Sequence, residues 1–464
     1  MQAPSVWARQ PTERTPAAVP GDQGPASTLA GLEHRLDRYR DHLERSARRL
    51  SLRDALALGL TQSPILAKAY AQIEATRWDG AAIRREWFPS LKAGNNDPGL
   101  VGVRQQQANT LSVSSPQLTL EWTFFDPSRA PRTNANAASL AADRFLFDVQ
   151  ARSLVLAIQQ QYITLQTQLT LEKQYHDLSL ILSDWRQLAQ AKARRGATTP
   201  DVDQLTSQEL ALLVLRINTH EQAIVAASNL ARSLSLAPGE LVMPSEPLVL
   251  QGEWTLGRRE TIAQALELRE EIQQSLARAR SLAWRAVATR RGYLPSLALE
   301  GLGSTTGNSG ATGLNSEASV GVNVVWTLFD GGILAAQADA QGSQQEQAQQ
   351  QAALDRLSVV AEVESSYATY LSSRIVVDTA MAQLASARAS IAAATRGYQA
   401  GSSDATTLLQ VLSDTRGAIE ATFLALEKHN KSVAALYRNS ARWPELAPPL
   451  LRQRAISRLT VRPG

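Results

Sequence analysis

Phe88-Pro89-Ser90-Leu91 returns about 205 residues later as Leu294-Pro295-Ser296-Leu297, and the flanking landmarks return with it in the same order. Trp122-Thr123-Phe124-Phe125-Asp126 recurs as Trp326-Thr327-Leu328-Phe329-Asp330. Upstream, Leu52, Ala55 and Leu56 correspond to Ile262, Ala265 and Leu266; downstream, Gly196 corresponds to Gly401. A repeat this long is no solenoid unit. It is a duplicated half-protein, and any fold must accommodate two copies of one chain path. The reading divides the chain into a Pro-rich disordered tail (1–30), an N-terminal helical extension (31–50), a first repeat (51–236), a connector (237–260), a second repeat (261–440) and a C-terminal tail (441–464).

Within each half the periodicity changes. Leu118, Leu120, Trp122 and Phe124 alternate with Thr119, Glu121 and Thr123; Val320, Val322, Val324, Trp326 and Leu328 alternate with Gly321, Asn323, Val325 and Thr327. A period of two predicts strands with one apolar and one mostly polar face. Two strands per half are expected around polar loops, the first beginning at Gly94-Asn95-Asn96, the second running Gly303 to Ser316. Stretches 117–126 and 319–328 are long enough to cross a membrane as tilted strands. Aromatic residues gather at the strand bases: Trp87, Phe88, Trp122, Phe124 and Phe125, then Tyr293, Trp326 and Phe329. Barrels carry such girdles at the membrane interface. Alternation alone equally fits a half-buried sheet in a soluble domain. Four strands cannot close a barrel, and lipid tolerates no open sheet edge, so membrane strands would require several chains per barrel.

Pro127 to Arg195 and Ile333 to Ala400 contain few helix breakers. Helices of that length approach roughly 100 Å, far beyond the usual three or four turns. Ala135, Ala137, Ala138, Ala141 and Ala142, then Ala335, Ala336, Ala338 and Ala340, permit close approach where each helix leaves the sheet. Gly196 and Gly401 end these helices, and second helices return from about Asp201 and Thr406. Glycine at a C-terminus followed by Thr or Asp at the next N-cap reads as a helical hairpin. The Gln-rich stretch 344–351, and Arg35, Arg38, Arg45, Arg48 and Arg49 on the N-terminal helix, read as solvated helix faces.

Other classes lack support. Lys+Arg number 47 against 43 Asp+Glu, too even for a nucleic-acid binder. There is no cysteine, hence no disulfide or thiol chemistry. No run of 18 apolar residues predicts a transmembrane helix, and the start, with five prolines in 25 residues, lacks a secretory apolar core. That start reads as a disordered tail, or as following a signal removed or lying upstream. Gly301-Leu302-Gly303-Ser304-Thr305-Thr306-Gly307 precedes a strand rather than a helix and reads as a flexible loop, not a phosphate cradle. His34, His42, His176, His220 and His429 show no metal spacing and no neighbouring nucleophile, and Asp201/Asp203 and Glu362/Glu364 read as solvated pairs. No enzyme, metal or cofactor is expected.

Together these landmarks resemble the TolC-type outer-membrane efflux proteins over about residues 50–440, with Phe329-Asp330-Gly331-Gly332 matching the family's strand-to-helix junction and Pro127-Ser128 replacing that glycine pair in the first half. The resemblance implies a mainly α protein with a small β part: duplicated long antiparallel hairpins forming an α-barrel, and four strands per chain contributing to a trimeric β-barrel. It implies an outer-membrane location reaching into the periplasm, and a homotrimer in outer-membrane lipid that docks a periplasmic adaptor and an inner-membrane transporter. Such a duct exports drugs or secreted proteins without chemistry of its own. The hairpin tips would form the periplasmic aperture and docking surface: Gly196, Thr198, Thr199, Asp201 and Asp203, with Gly401, Ser402, Ser403, Asp404 and Thr407. Family members often carry an acidic residue six positions after the tip glycine; here Val202 and Thr407 stand there. A soluble coiled-coil scaffold is the alternative reading.

Overall fold

The computed structural model describes residues 29–95, 112–113, 116–194, 200–308 and 314–447. In chain order the elements are α1 (Leu29–Ser46), β1 (Arg48–Leu50), α2 (Leu52–Gln62), α3 (Pro64–Arg85), β2 (Ser90–Asn95), β3 (Ser112–Val113), β4 (Pro116–Phe125), α4 (Arg129–Ala193) and α5 (Pro200–Ser233). They continue with β5 (Val242–Pro244), α6 (Arg258–Leu268), α7 (Glu270–Arg290), a 3-10 turn (Arg291–Tyr293), β6 (Ser296–Asn308), β7 (Leu314–Val325), α8 (Ile333–Ala400) and α9 (Ala405–Asn439). The protein is mainly helical with a small β part, as the sequence implied.

The duplication is visible element by element. A broken helix leads into each strand pair, which leads into a long helix and a shorter return helix. The breaks are built differently. Ser63 caps α3 and Pro64 starts it, where proline costs no hydrogen bond; Arg269 turns the chain between α6 and α7 with extended backbone. The long helices α4 and α8 have 65 and 68 residues, about 100 Å each. α8 runs straight through Gly342 and Gly397. In the upper part, next to the sheet, helices lie side by side in the order α3–α4–α7–α8; in the lower part the order is α5–α4–α9–α8. Fully buried Ala338 and nearly buried Ala135 mark close approach, and Ser281 Oγ donates to the Ala135 carbonyl at 2.9 Å.

Several boundaries differ from the sequence reading. The second-half strands are longer at the turn end: β6 runs through Gly301–Gly307 to Asn308, so the glycine-rich stretch is strand rather than loop. The chain re-enters strand at Leu314, and what remains of the expected loop, 309–313, lies outside the described residues. At the other end β7 stops at Val325, so Trp326, Thr327 and Leu328 follow the strand. Arg48 and Arg49 belong to β1, not to the N-terminal helix, and β1 pairs in parallel with β5 from the connector. The alternation of three-residue strands is too short to read from sequence.

α1 lies against α5. Arg216, 1% exposed, is clasped by Glu33 and Asp37 of α1 at 3.4 and 3.6 Å. Tyr39 meets the edge of His220, whose Nδ1 lies 3.2 Å from Glu172. A second histidine also departs from expectation: His429 Nδ1 lies 3.1 Å from Ser373 Oγ. Ser373 donates instead to the Tyr370 carbonyl, and both side chains are sealed from solvent, so the pair is packing rather than a nucleophile.

Candidate channel surfaces and hairpin tips

Strand register assigns the paired side chains of the sheet to faces, with one shift of register between Thr123 and Phe125. The sheet order is β2-β4-β6-β7, all antiparallel, with β3 extending β4 along β6. Directly paired residues share a face. Leu91 pairs with Leu120, Trp122 with Leu299 and Leu299 with Val322; Leu297 pairs with Val324. This apolar face is turned outward: Leu91, Leu118, Val320, Val322 and Val324 are 48–76% exposed. The opposite face holds Lys92, Thr119, Glu121, Glu300, Ser319 and Asn323. There Lys92 pairs with Glu121 at 3.0 Å and Asn323 donates to Glu300 at 2.7 Å.

The aromatic residues cluster where strands meet helices. The Trp122 indole donates to the Trp87 carbonyl at 2.9 Å, and Trp326 repeats this with the Tyr293 carbonyl at 3.0 Å. Trp122 also stacks edge-on against Phe124 at 6.0 Å. Trp87, Phe88, Phe125, Trp326 and Phe329 are exposed, Phe329 most, at 87%. Tyr293 is half-buried and donates its hydroxyl to Asp330 at 2.8 Å. The strand-to-helix junctions differ between halves. Gly331 and Gly332 adopt left-handed backbone (φ 71° and 87°), which non-glycine residues rarely sustain. The first half instead ties Asp126 to Ser128 and Arg132, with Arg129 buried over the Trp87 ring.

At the far end of the hairpins, Gly196, Thr198 and Thr199 lie outside the described residues. Asp201 and Asp203 occupy the first turn of α5, where negative charge suits a helix N-terminus. Gly401 ends α8 with φ 82°, and a side chain at Gly397 would meet Ser403 Oγ at 2.5 Å. Ser402 donates its N–H to the Gly397 carbonyl, closing the turn. Asp404 is the N-cap of α9 and accepts from both the hydroxyl and the backbone N–H of Thr407. Those two bonds hold its carboxyl below the usual range.

Four residues not singled out in the sequence, Lys192, Tyr398, Trp185 and Thr395, join the two hairpins near their tips. Lys192 of α4 donates to the Tyr398 carbonyl of α8, with its ammonium 3.8 Å from the centre of the Tyr398 ring. The Tyr398 hydroxyl faces Asp201 of α5 at 3.4 Å. Burial, reinforced by Asp201, pushes the Tyr398 phenol up. Farther up, the Trp185 indole donates to Thr395 at 3.0 Å. Only the three-dimensional packing of the two hairpins brings these groups together, and no local pattern marks it.

Residues 261–441, the second repeat, match the family model described as outer membrane efflux protein. No curated protein matches the chain. Solved structures with the same fold include the CmeC outer membrane channel of Campylobacter jejuni, at 14% identity and TM-score 0.73, covering 87% of this chain and 89% of that one. The outer membrane protein VceC of Vibrio cholerae is 16% identical with TM-score 0.69, covering 84% and 96%. The MtrE outer membrane channel of Neisseria gonorrhoeae, described in its open state, is 16% identical with TM-score 0.68, covering 84% and 89%. The family model matches the second repeat only, and the solved structures share the fold that the sequence resemblance implied.

Proposed function

We propose that this chain, whose residues 261–441 belong to the outer membrane efflux protein family, is one protomer of a homotrimeric exit duct. The observation that carries the reading is a pair of unsatisfied edges running the full length of the molecule. In the sheet, among the described residues, β2 and β7 each pair on one side only. Below, α3 leaves Tyr70 and Trp78 exposed, and α5 leaves Leu210, Val214, Ile217 and Val225 exposed at helical spacing. On the opposite edge, α8 leaves Leu354, Leu357, Leu371 and Ile375 exposed on one stripe. A β7/α8 edge and a β2/α3/α5 edge are different surfaces, so copies would pair head to tail, which generates a ring where the rotation between neighbours closes.

Three copies would supply four strands each, placing the apolar face in lipid and the Lys92, Glu121 and Glu300 face around water. The long helices would continue this lumen across the periplasm. The hairpin tips, with Asp201, Asp203, Asp404 and Thr407, would form the aperture and the surface that meets a periplasmic adaptor and an inner-membrane transporter. Transport of drugs or secreted proteins would then be passive, with no cofactor. A soluble coiled-coil scaffold would leave Val320, Val322 and Val324 in water, a contiguous apolar patch of the kind that marks a membrane or partner.

The test is extraction and reconstitution. Detergent-solubilised protein should run as a trimer and form pores in planar bilayers. A monomer fully soluble without detergent would overturn the reading.

A further inference from the structure

We infer that the last turns of α3 and α7 form a basic collar that binds anionic phospholipid headgroups of the leaflet on the helix side of the membrane. The inference rests on the membrane reading above and adds a lipid class to it. Arg84 and Arg85 close α3, and Arg290 closes α7 with Arg291 in the turn that follows. All four are exposed. The first pair stands just ahead of the exposed girdle residues Trp87 and Phe88 (54% and 71%), the second just ahead of the half-buried girdle residue Tyr293 and the exposed Leu294 (50%). The duplicated halves, so different at their junctions and tips, carry the arginine pair at the same place.

The arginines are available to an outside anion. Among the described residues the side chains of Arg84 and Arg85 make no ion pair or hydrogen bond. Arg290 meets Asp339 at 2.8 Å, but both side chains are more than 60% exposed, and such pairs contribute little. Arg291 donates only to the Pro127 carbonyl, at 3.2 Å. Cations in a last helical turn also favour the helix dipole. That effect needs neither two arginines nor a position against the girdle, and it does not reach Arg291 beyond the helix. Arginine suits the task because its fork binds phosphate oxygens in pairs while its stem lies along apolar surface. The apolar sheet face fixes how deep the protein sits, and the collar then lies at headgroup height. Anionic headgroups attract basic residues at a membrane surface, about fivefold in affinity per engaged charge.

Quenching of tryptophan fluorescence by brominated lipids tests this on the full-length protein. In vesicles of mixed phosphatidylglycerol and phosphatidylcholine, brominated phosphatidylglycerol should quench several-fold more effectively than its mole fraction predicts, and added salt should reduce the excess. Replacing all four residues (R84Q, R85Q, R290Q and R291Q) should abolish it, whereas four lysines should keep most of it. The R84Q/R85Q pair, which breaks no contact within the chain, should roughly halve it if the full variant folds poorly. Equal quenching by both lipids in the wild type, or an excess unchanged in the glutamine variants, would overturn the collar. Quenching by neither lipid would instead overturn the membrane reading.

Discussion

Arg269 and Arg438 grip the same two carboxylates. Arg269 forks onto Glu271 at 2.8 and 3.0 Å and reaches Glu362 at 2.9 Å; Arg438 reaches Glu271 at 2.7 Å and Glu362 at 3.0 Å. The result is a closed square of alternating charge joining the α6–α7 break to α8 and α9. Glu362, read from sequence as half of a solvated pair, is a corner of it. Beside the square, buried Arg152 of α4 pairs with Glu270 at 3.0 Å.

Breaking one corner should destabilise the helical layer. Burial raises the Glu271 carboxyl, but the hydrogen bonds and charge of Arg269, with Arg438, outweigh it and hold the pKa below the usual 4.5. Its contribution is therefore present above pH 4.5 and lost as pH falls through the lowered folded value. Glu271→Gln should cost about 2 kcal/mol at neutral pH, less than a fully buried pair. It should also flatten the acid-side loss of stability. Thermal melts followed by helical circular dichroism at several pH values measure both effects.

The tip contacts make a second expectation. Tyr398→Phe removes the hydroxyl facing Asp201, worth about 1 kcal/mol, or roughly a fivefold shift toward the open aperture. Lys192→Ala removes the ammonium from the Tyr398 ring and carbonyl and should shift it further. Single-channel recording gives the open fraction. An open fraction identical to wild type in both variants would show that neither contact holds the tips together.

Charge reversal at Asp201 or Asp404 should alter conductance or adaptor coupling while trimers still assemble. Asp404 carries an additional local effect through its cap on α9. Asp404→Ala should speed amide exchange at Thr407, whereas Asp404→Asn retains an acceptor and should not. The lowered Asp404 pKa confines acid loss of the charged cap to pH below the usual 3.8.

At the strand bases, Trp326→Phe should leave the Tyr293 carbonyl without its indole donor, costing about 1 kcal/mol while conserving aromatic area. Trp122→Phe should behave alike at Trp87. A loss appearing in only one variant, by urea denaturation in detergent, would show that the two junctions are not equivalent.

The duplication, the alternating strands and the long helices were legible because each writes a period or a repeated phrase into the chain. Leu118 to Trp122 and Val320 to Val324 announce their face by parity alone, and the structure puts them on one surface, whereas the register shift at Phe124 sets Phe125 opposite Leu297. β1 and β5 were not legible, since three residues carry no period and their partner lies in the connector. Gly301 to Gly307 misled because glycine is common in turns, yet here Gly301 lies within 3.3 Å of Leu120 across the sheet, measured from where a Cβ would stand. The charged square and the Lys192–Tyr398 contact depend on which helices become neighbours, which no single stretch encodes.

The polarity of the two edges has a genetic consequence. In the proposed ring every chain presents its β7/α8 side to one neighbour and its β2/α3/α5 side to the other. A chain damaged only along the α8 stripe, at Leu371 and Ile375, would still offer a sound α5 side and be admitted by an intact subunit. The mixed assembly would then lack its final seam. Such an allele should behave as a dominant poison in cells that also make the normal chain, whereas a chain too unstable to fold would be merely recessive.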